Sequence, residues 1–188
     1  SDIYACRQTG YAMLCSSSVQ EIMDLGAVAH LSTIKSRVPF LHFFDGFRSS
    51  HEVQKIKVWD YEDFKELIDW EAVDRFRANA LNPEHPVQRG TSQNPDIFFQ
   101  SREACNTYYD AAVDVMESYM NSVNKKIGTD YKLFNYYGPR DAKHVIIAMG
   151  SVCETAEETI DYLNAAGGKV GLVKVRLYRP FSAKHLIA

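Results

Sequence analysis

No block of lysine or arginine stands anywhere in this chain. Its 21 basic and 24 acidic residues are mixed along 188 positions, for a net charge of -3. Nothing in that pattern competes for a phosphate backbone, so nucleic-acid binding is not expected. No apolar run reaches the roughly 18 residues of a membrane helix, and no signal peptide opens the sequence, so no membrane association is expected. Cysteine is scarce and unpaired. Cys6, Cys15, Cys105 and Cys153 form no C-x-x-C, which excludes a zinc ribbon or an iron–sulfur cluster held within the chain. Buried thiols in a reducing cytosol are the plain expectation. There is no G-x-G-x-x-G, no Walker loop and no H-E-x-x-H. There is also no low-complexity tract, and no repeat beyond a shared topology.

What is present is a sizeable core. Hydrophobic residues make up 46% and charged residues 24%, ordinary for a globular protein of one domain or one and a fraction. Residues 11–15, YAMLC, read as a short buried strand. Ser18 and Glu21 have the S-x-x-E spacing of a capping box, and Val19, Ile22, Met23, Ala27, His30, Leu31 and Ile34 follow helical spacing. Lys35 and Arg37 suit a helix C-terminus. PFLHFF, 39–44, is the next strand, and Asp45-Gly46 ends it. The pattern recurs with HVIIAMG, 144–150, a helix over 154–166 opened by Ser151 and Glu154, and KVGLVKVRLY, 169–178. Strands this apolar are expected to be buried on both faces. The fold class is therefore α/β, with two strand–helix–strand units of the parallel-sheet kind. Between them, 59–81 reads as two short helices and 111–128 as a longer one. Residues 81–106, with their prolines, show no period and read as a long functional or partner-contacting strap. A domain boundary is placed near 132–140.

Several constellations are candidates for chemistry. HFFDGFRSSHE, 42–52, follows the carboxyl end of a parallel strand, where open α/β sheets bind ligands. Arg48 is placed to clamp a carboxylate or phosphate and His51 to move protons. The same residues also fit a plain turn, with Asp45 and Gly46 making the bend and Ser49 or Ser50 capping a following helix. The two helix entries, CSSSVQE and MGSVCETAEE, offer free amides to an anion, but their glutamates oppose one. His30, His42, His85 and His144 have no metal-ligand spacing and read as structural or solvated. The pairs Glu62-Asp63 and Glu157-Glu158 read as solvated helix faces, and RGTSQNPDIFFQ, 89–100, carries no catalytic geometry.

Three long strings go further. HFFDGFRSSHE, RGTSQNPDIFFQ and GLVKVRLYRPF, within a match running along essentially the whole chain, resemble the pyruvate:ferredoxin (flavodoxin) oxidoreductases. The resemblance implies oxidative decarboxylation of pyruvate with coenzyme A to acetyl-CoA and CO2. It implies thiamine diphosphate with Mg2+, [4Fe-4S] clusters, electron transfer to ferredoxin or flavodoxin, a homodimer of multidomain chains, and a cytoplasmic location or an anaerobic organelle. Residues 1–133 resemble the later part of the thiamine domain on the pyrimidine side. Residues 134–188 resemble the start of a domain like the C-terminal domain of transketolase.

The family's pyruvate-contacting threonine and arginine and its activating glutamate match no stretch here, nor do its diphosphate–magnesium motif or its cluster cysteines. No catalytic or metal residue is carried over, and no cofactor is expected to be bound by this segment alone. The family setting favours interface or support roles for Asp45, Gly46, Arg48 and His51, with Asp45 and Arg48 ordering the loop by charge-assisted hydrogen bonds. The chain starts at Ser1 without methionine and stops at KHLIA. Both ends read as cut, so a longer protein is expected, with residues 1–133 sticky or partly unfolded on their own because of an open sheet edge. The other readings are a stand-alone scaffold or binding remnant, and a relative acting on another 2-oxoacid or carrying a fused reductase domain.

Overall fold

The structure is a computed structural model that describes residues 2–88, 90 and 92–188. Ser1, and Arg89 and Thr91 of the 89–100 stretch, lie outside the described residues. In chain order the elements are α1 (Asp2–Cys6), β1 (Ala12–Cys15), α2 (Val19–Ser36), β2 (Phe40–Phe43), α3 (Arg48–His51), α4 (Tyr61–Leu67) and α5 (Trp70–Ala78). There follow α6 (Pro95–Ile127), β3 (Phe134–Tyr137), β4 (His144–Ala148), α7 (Val152–Ala165), β5 (Val170–Val175), β6 (Leu177–Arg179) and α8 (Ala183–Ile187).

Both expected strand–helix–strand units form. β1 and β2 pair in parallel with α2 between them, and β4 and β5 pair in parallel with α7 between them. Each three-stranded sheet gains one antiparallel strand. The first runs β2-β1-β6 and the second β3-β5-β4.

The antiparallel additions correct the sequence reading. KVGLVKVRLY is not one strand. It breaks at Arg176, so that β5 stays in the second sheet and β6 crosses to the first, where Leu177 pairs with Leu14. The two units are therefore stitched together by backbone hydrogen bonds. Cys15 N–H donates to the Arg176 carbonyl at 2.8 Å, and Arg176 and Leu177 N–H donate to the Leu133 carbonyl at 3.0 and 3.1 Å.

The strap reading of 81–106 is also corrected beyond residue 94. Asn94-Pro95-Asp96 starts a helix that runs unbroken to Ile127, with proline in the first turn where its missing N–H costs nothing. Gly128, left-handed at φ 75°, closes it.

The main core lies where α2 and α6 cross behind the first sheet. Leu14, Leu25, Val28, Met116, Met120 and Val123 are fully buried there, together with Leu177 of β6. A smaller core of Cys153, Ile160 and Leu172 holds α7 on the second sheet. β4 does not have two buried faces. It is an edge strand with Val145, Ile146 and Ile147 exposed by 49%, 45% and 63%. Its apolar sequence is matched to a cover that the described residues do not supply.

Candidate functional site

The carboxyl ends of β1 and β2 point at the second unit. Ser16 and Ser17 follow β1, and Asp45 follows β2. The groups facing them are the first turn of α7 and the side chain of Arg176.

Asp45 Oδ2 accepts a 2.5 Å hydrogen bond from Ser151 N–H. Gly150 makes this approach possible. Its φ is 86°, and a Cβ there would meet Asp45 Oδ2 at 2.8 Å. Ser151 therefore does not cap α7 as its S-x-x-E spacing suggests: it has helical backbone angles and no side-chain cap bond. The carboxylate of the other unit meets that helix end instead, where the dipole favours negative charge. Asp45→Ala is expected to lower protection of the α7 first-turn amides by about 1 kcal/mol, with Asp45→Asn retaining most of it. Native-state hydrogen exchange checks this.

The other capping box is half formed. Ser18 Oγ accepts from Glu21 N–H at 3.2 Å, but the Glu21 carboxylate does not return to Ser18. Oε2 accepts from Ser17 N–H and Oγ at 2.9 and 2.8 Å, and Oε1 accepts from Arg176 Nη2 at 2.6 Å. Both side chains of this ion pair are buried, with exposures of 9% for Glu21 and 5% for Arg176. Arg176 also donates to Asn135 Oδ1 and lies against the Tyr131 ring. Burial alone would raise the Glu21 carboxyl, but the charge and hydrogen bond of Arg176 and the Ser17 bonds outweigh it, so it sits below its ordinary value.

The other residues of the loop are less engaged. Gly46 is exposed, and its carbonyl lies 3.2 Å from His51 Nδ1. His51 stacks on the exposed Phe47. Arg48 is exposed and has no hydrogen bond to Asp45 among the described residues, so the expected Asp45–Arg48 pairing is replaced by Asp45–Ser151. Neither Ser49 nor Ser50 caps α3, since Phe47 occupies the cap position.

A second group of buried polar residues was not singled out from sequence. Asp24 is 1% exposed and accepts from Tyr131 OH at 2.7 Å, Trp59 Nε1 at 2.9 Å and Gln20 Nε2 at 3.1 Å. It lies in the wall of a cavity of about 770 Å³ between the start of α2, residues 55–59 and the end of α6. His42 Nε2 lies 2.7 Å from Ser16 Oγ, and burial, with His30 nearby, lowers its pKa to about 4, so it is neutral at pH 7.

The cysteines do not gather as cluster ligands. Cys15 and Cys153 are buried thiols. Burial, then the charge of Asp45, pushes Cys15 up to about 12, and burial pushes Cys153 up to about 11. Protonated thiols in that setting do not fit an iron–sulfur site. Among the described residues one group of potential metal ligands comes together, Asp114 and Glu117 of α6 with His185 of α8. His185 Nδ1 is already engaged with Ser182 Oγ at 2.6 Å and Nε2 lies 3.4 Å from Glu117. Acidic groups at a protein surface commonly gather in this way without an ion.

The first unit and α6 match the family model described as pyruvate flavodoxin/ferredoxin oxidoreductase, thiamine diP-bdg, over residues 1–121. Residues 142–188 match the pyruvate:ferredoxin oxidoreductase core domain II model. A pyruvate-flavodoxin oxidoreductase of Enterobacter agglomerans is 64% identical across 98% of this chain. A pyruvate:ferredoxin oxidoreductase of Moorella thermoacetica is 61% identical across all of it. The chain spans 16% of the length of each of these relatives. Among solved structures, a 2-oxoglutarate:ferredoxin oxidoreductase from Magnetococcus marinus, determined with 2-oxoglutarate, coenzyme A and succinyl-CoA bound, shares the fold. It has a TM-score of 0.50, 17% identity, and coverage of 91% of this chain and 31% of that one. On the strength of the matched models and these identities, the chain belongs to the pyruvate flavodoxin/ferredoxin oxidoreductase family.

Proposed function

We propose that this chain is an internal segment of a pyruvate:ferredoxin/flavodoxin oxidoreductase, and that it acts there as the joint between two domains. The whole enzyme would oxidise pyruvate with coenzyme A to acetyl-CoA and CO2. Thiamine diphosphate with Mg2+ would supply the carbanion chemistry, and [4Fe-4S] clusters in other domains would pass electrons to ferredoxin or flavodoxin. Residues 1–133 would form the later part of the thiamine domain. Residues 134–188 would open the transketolase C-terminal-like domain, with β6 reaching back as a strap. The enzyme would work as a homodimer in the cytoplasm, or in an anaerobic organelle of a eukaryote.

The observation that carries this reading is identity of 61% along the whole chain to a relative six times its length. The structure supports the segment's part in it. The strand ends at which an α/β sheet would hold a ligand are occupied by protein: Asp45 on α7 and Glu21 on Arg176. A segment built this way holds two units in register and has no activity alone. Among the described residues no helix is long and apolar enough to cross a membrane, and the exposed apolar edge of β4 is suited to cover by the rest of the polypeptide.

The test is the denatured mass of the native protein, detected with an antibody against this segment, followed by an assay of the purified material. A band several times larger than 21.4 kDa is expected. That protein should reduce ferredoxin or a viologen dye with pyruvate, dependent on coenzyme A and thiamine diphosphate, while the 188-residue chain should show no such activity. A native band at this chain's own mass would overturn the reading.

A further inference from the structure

We propose that a pocket lined by Arg7, Arg102 and Arg179 binds a phosphoryl dianion, either free phosphate or the phosphate of a small monoester. Three distant pieces of sequence build it: the turn after α1, the exposed first third of α6, and the end of β6. The pocket encloses about 360 Å³, room for a phosphate and a small attached group. Gln8 and Asn106 add amide donors to its wall, and no carboxylate lines it. Among the described residues none of the three arginines has an acidic partner. Planar guanidinium forks that lack carboxylates and share one concavity can each donate two N–H groups to the oxygens of a tetrahedral phosphoryl group.

The wall is held in place before any ligand arrives. Tyr109 OH donates to the Gly10 carbonyl at 2.6 Å, tying the 7–11 turn to α6. Gly10 has φ 98°, and a Cβ there would meet Tyr109 OH at 2.8 Å, so this close seat is reserved for glycine. It brings Arg102 Nη1 within 3.9 Å of the same position. Arg7 is steadied by donating to the Tyr4 carbonyl at 2.6 Å and lying 3.6 Å over the Tyr4 ring, which leaves its remaining N–H groups for a ligand. Asn106 Nδ2 donates a long hydrogen bond, 3.5 Å, to Glu103 Oε2, a carboxylate that is not part of the wall. The inference uses residues of this chain alone and does not depend on the activity of the whole enzyme.

The test is calorimetric titration of the full-length protein with inorganic phosphate and with adenosine monophosphate, at constant ionic strength held with potassium chloride. Wild type, Arg102→Gln and Arg179→Gln would be compared. One phosphate-binding event per chain is expected in wild type, weakened about tenfold or more in each variant and lost in the double variant. Arg102 is an exposed helix residue, so this variant keeps its fold, and circular dichroism in phosphate-free buffer checks that. Tighter binding of the monophosphate than of phosphate assigns the site to a monoester, and equal binding assigns it to free phosphate. Identical isotherms in all proteins overturn the proposal. So does a wild type that takes up no phosphate at this site, the result expected if a carboxylate from elsewhere in the longer polypeptide fills the pocket.

Discussion

Arg176→Ala is expected to destabilise the joint between the two units by about 3–5 kcal/mol, the cost of leaving a buried carboxylate without its cation. Glu21 and Arg176 meet at 2.6 Å with almost no solvent access, so the loss is not screened by water or salt as it would be for the exposed Lys65–Glu62 pair. Hydrogen exchange on the full-length protein should show amides of β1 and α2 opening roughly two to four orders of magnitude more often. Arg176→Met combined with Glu21→Gln should recover most of that protection, because the penalty comes from the orphaned charge more than from the lost attraction. The pair also sets an acid limit. The Glu21 carboxyl is held below its ordinary value, so its contribution is present above the ordinary carboxylate pKa and disappears as pH falls through the lowered value. Glu21→Gln should remove that part of the acid sensitivity. Unchanged exchange in Arg176→Ala would mean that the pair contributes nothing to holding the units together.

The regular parts of this fold were legible because they obey local rules. Largely apolar runs at 11–15, 39–44 and 144–150, helices between them and glycines at their ends left little choice but two parallel units. The joint was much less legible because its logic is long-range. Glu21 has the spacing of a capping residue, and only the partner 155 positions away turns it into half of an ion pair. Arg176 carried one usable signal as a cation, with Lys174, inside the otherwise apolar stretch KVGLVKVRLY, since a charge in a strand that apolar needs a partner. Its meaning as the point where the chain changes sheets lay in the backbone path. Asn94-Pro95-Asp96 carried a helix-start signal as well, but the prolines before it drew that stretch into the loop reading. Asp45 was visible as a charged turn residue. Its partner, the backbone N–H of Ser151, has no side-chain signature at all.

Leu177→Ala is expected to cost about 2–5 kcal/mol, and the loss should appear in the first unit although residue 177 follows the second. Leu177 is fully buried with Leu14, Leu25, Met116 and Met120, and its own backbone is fixed to Leu133 and paired with Leu14. Removing its side chain leaves a cavity between β1 and the α2–α6 crossing that these close-packed neighbours cannot readily fill. Protection in residues 12–31 should fall, while protection around Ile160 and Leu172, which belong to the separate core under α7, should change little. The distribution of the effect carries the argument. If residues 1–133 were stable without the strap, Leu177→Ala would leave exchange in β1 and α2 at the wild-type level. If β6 completes their core, the loss is selective for those two elements, and the two units are bound together by packing as well as by the Glu21–Arg176 pair.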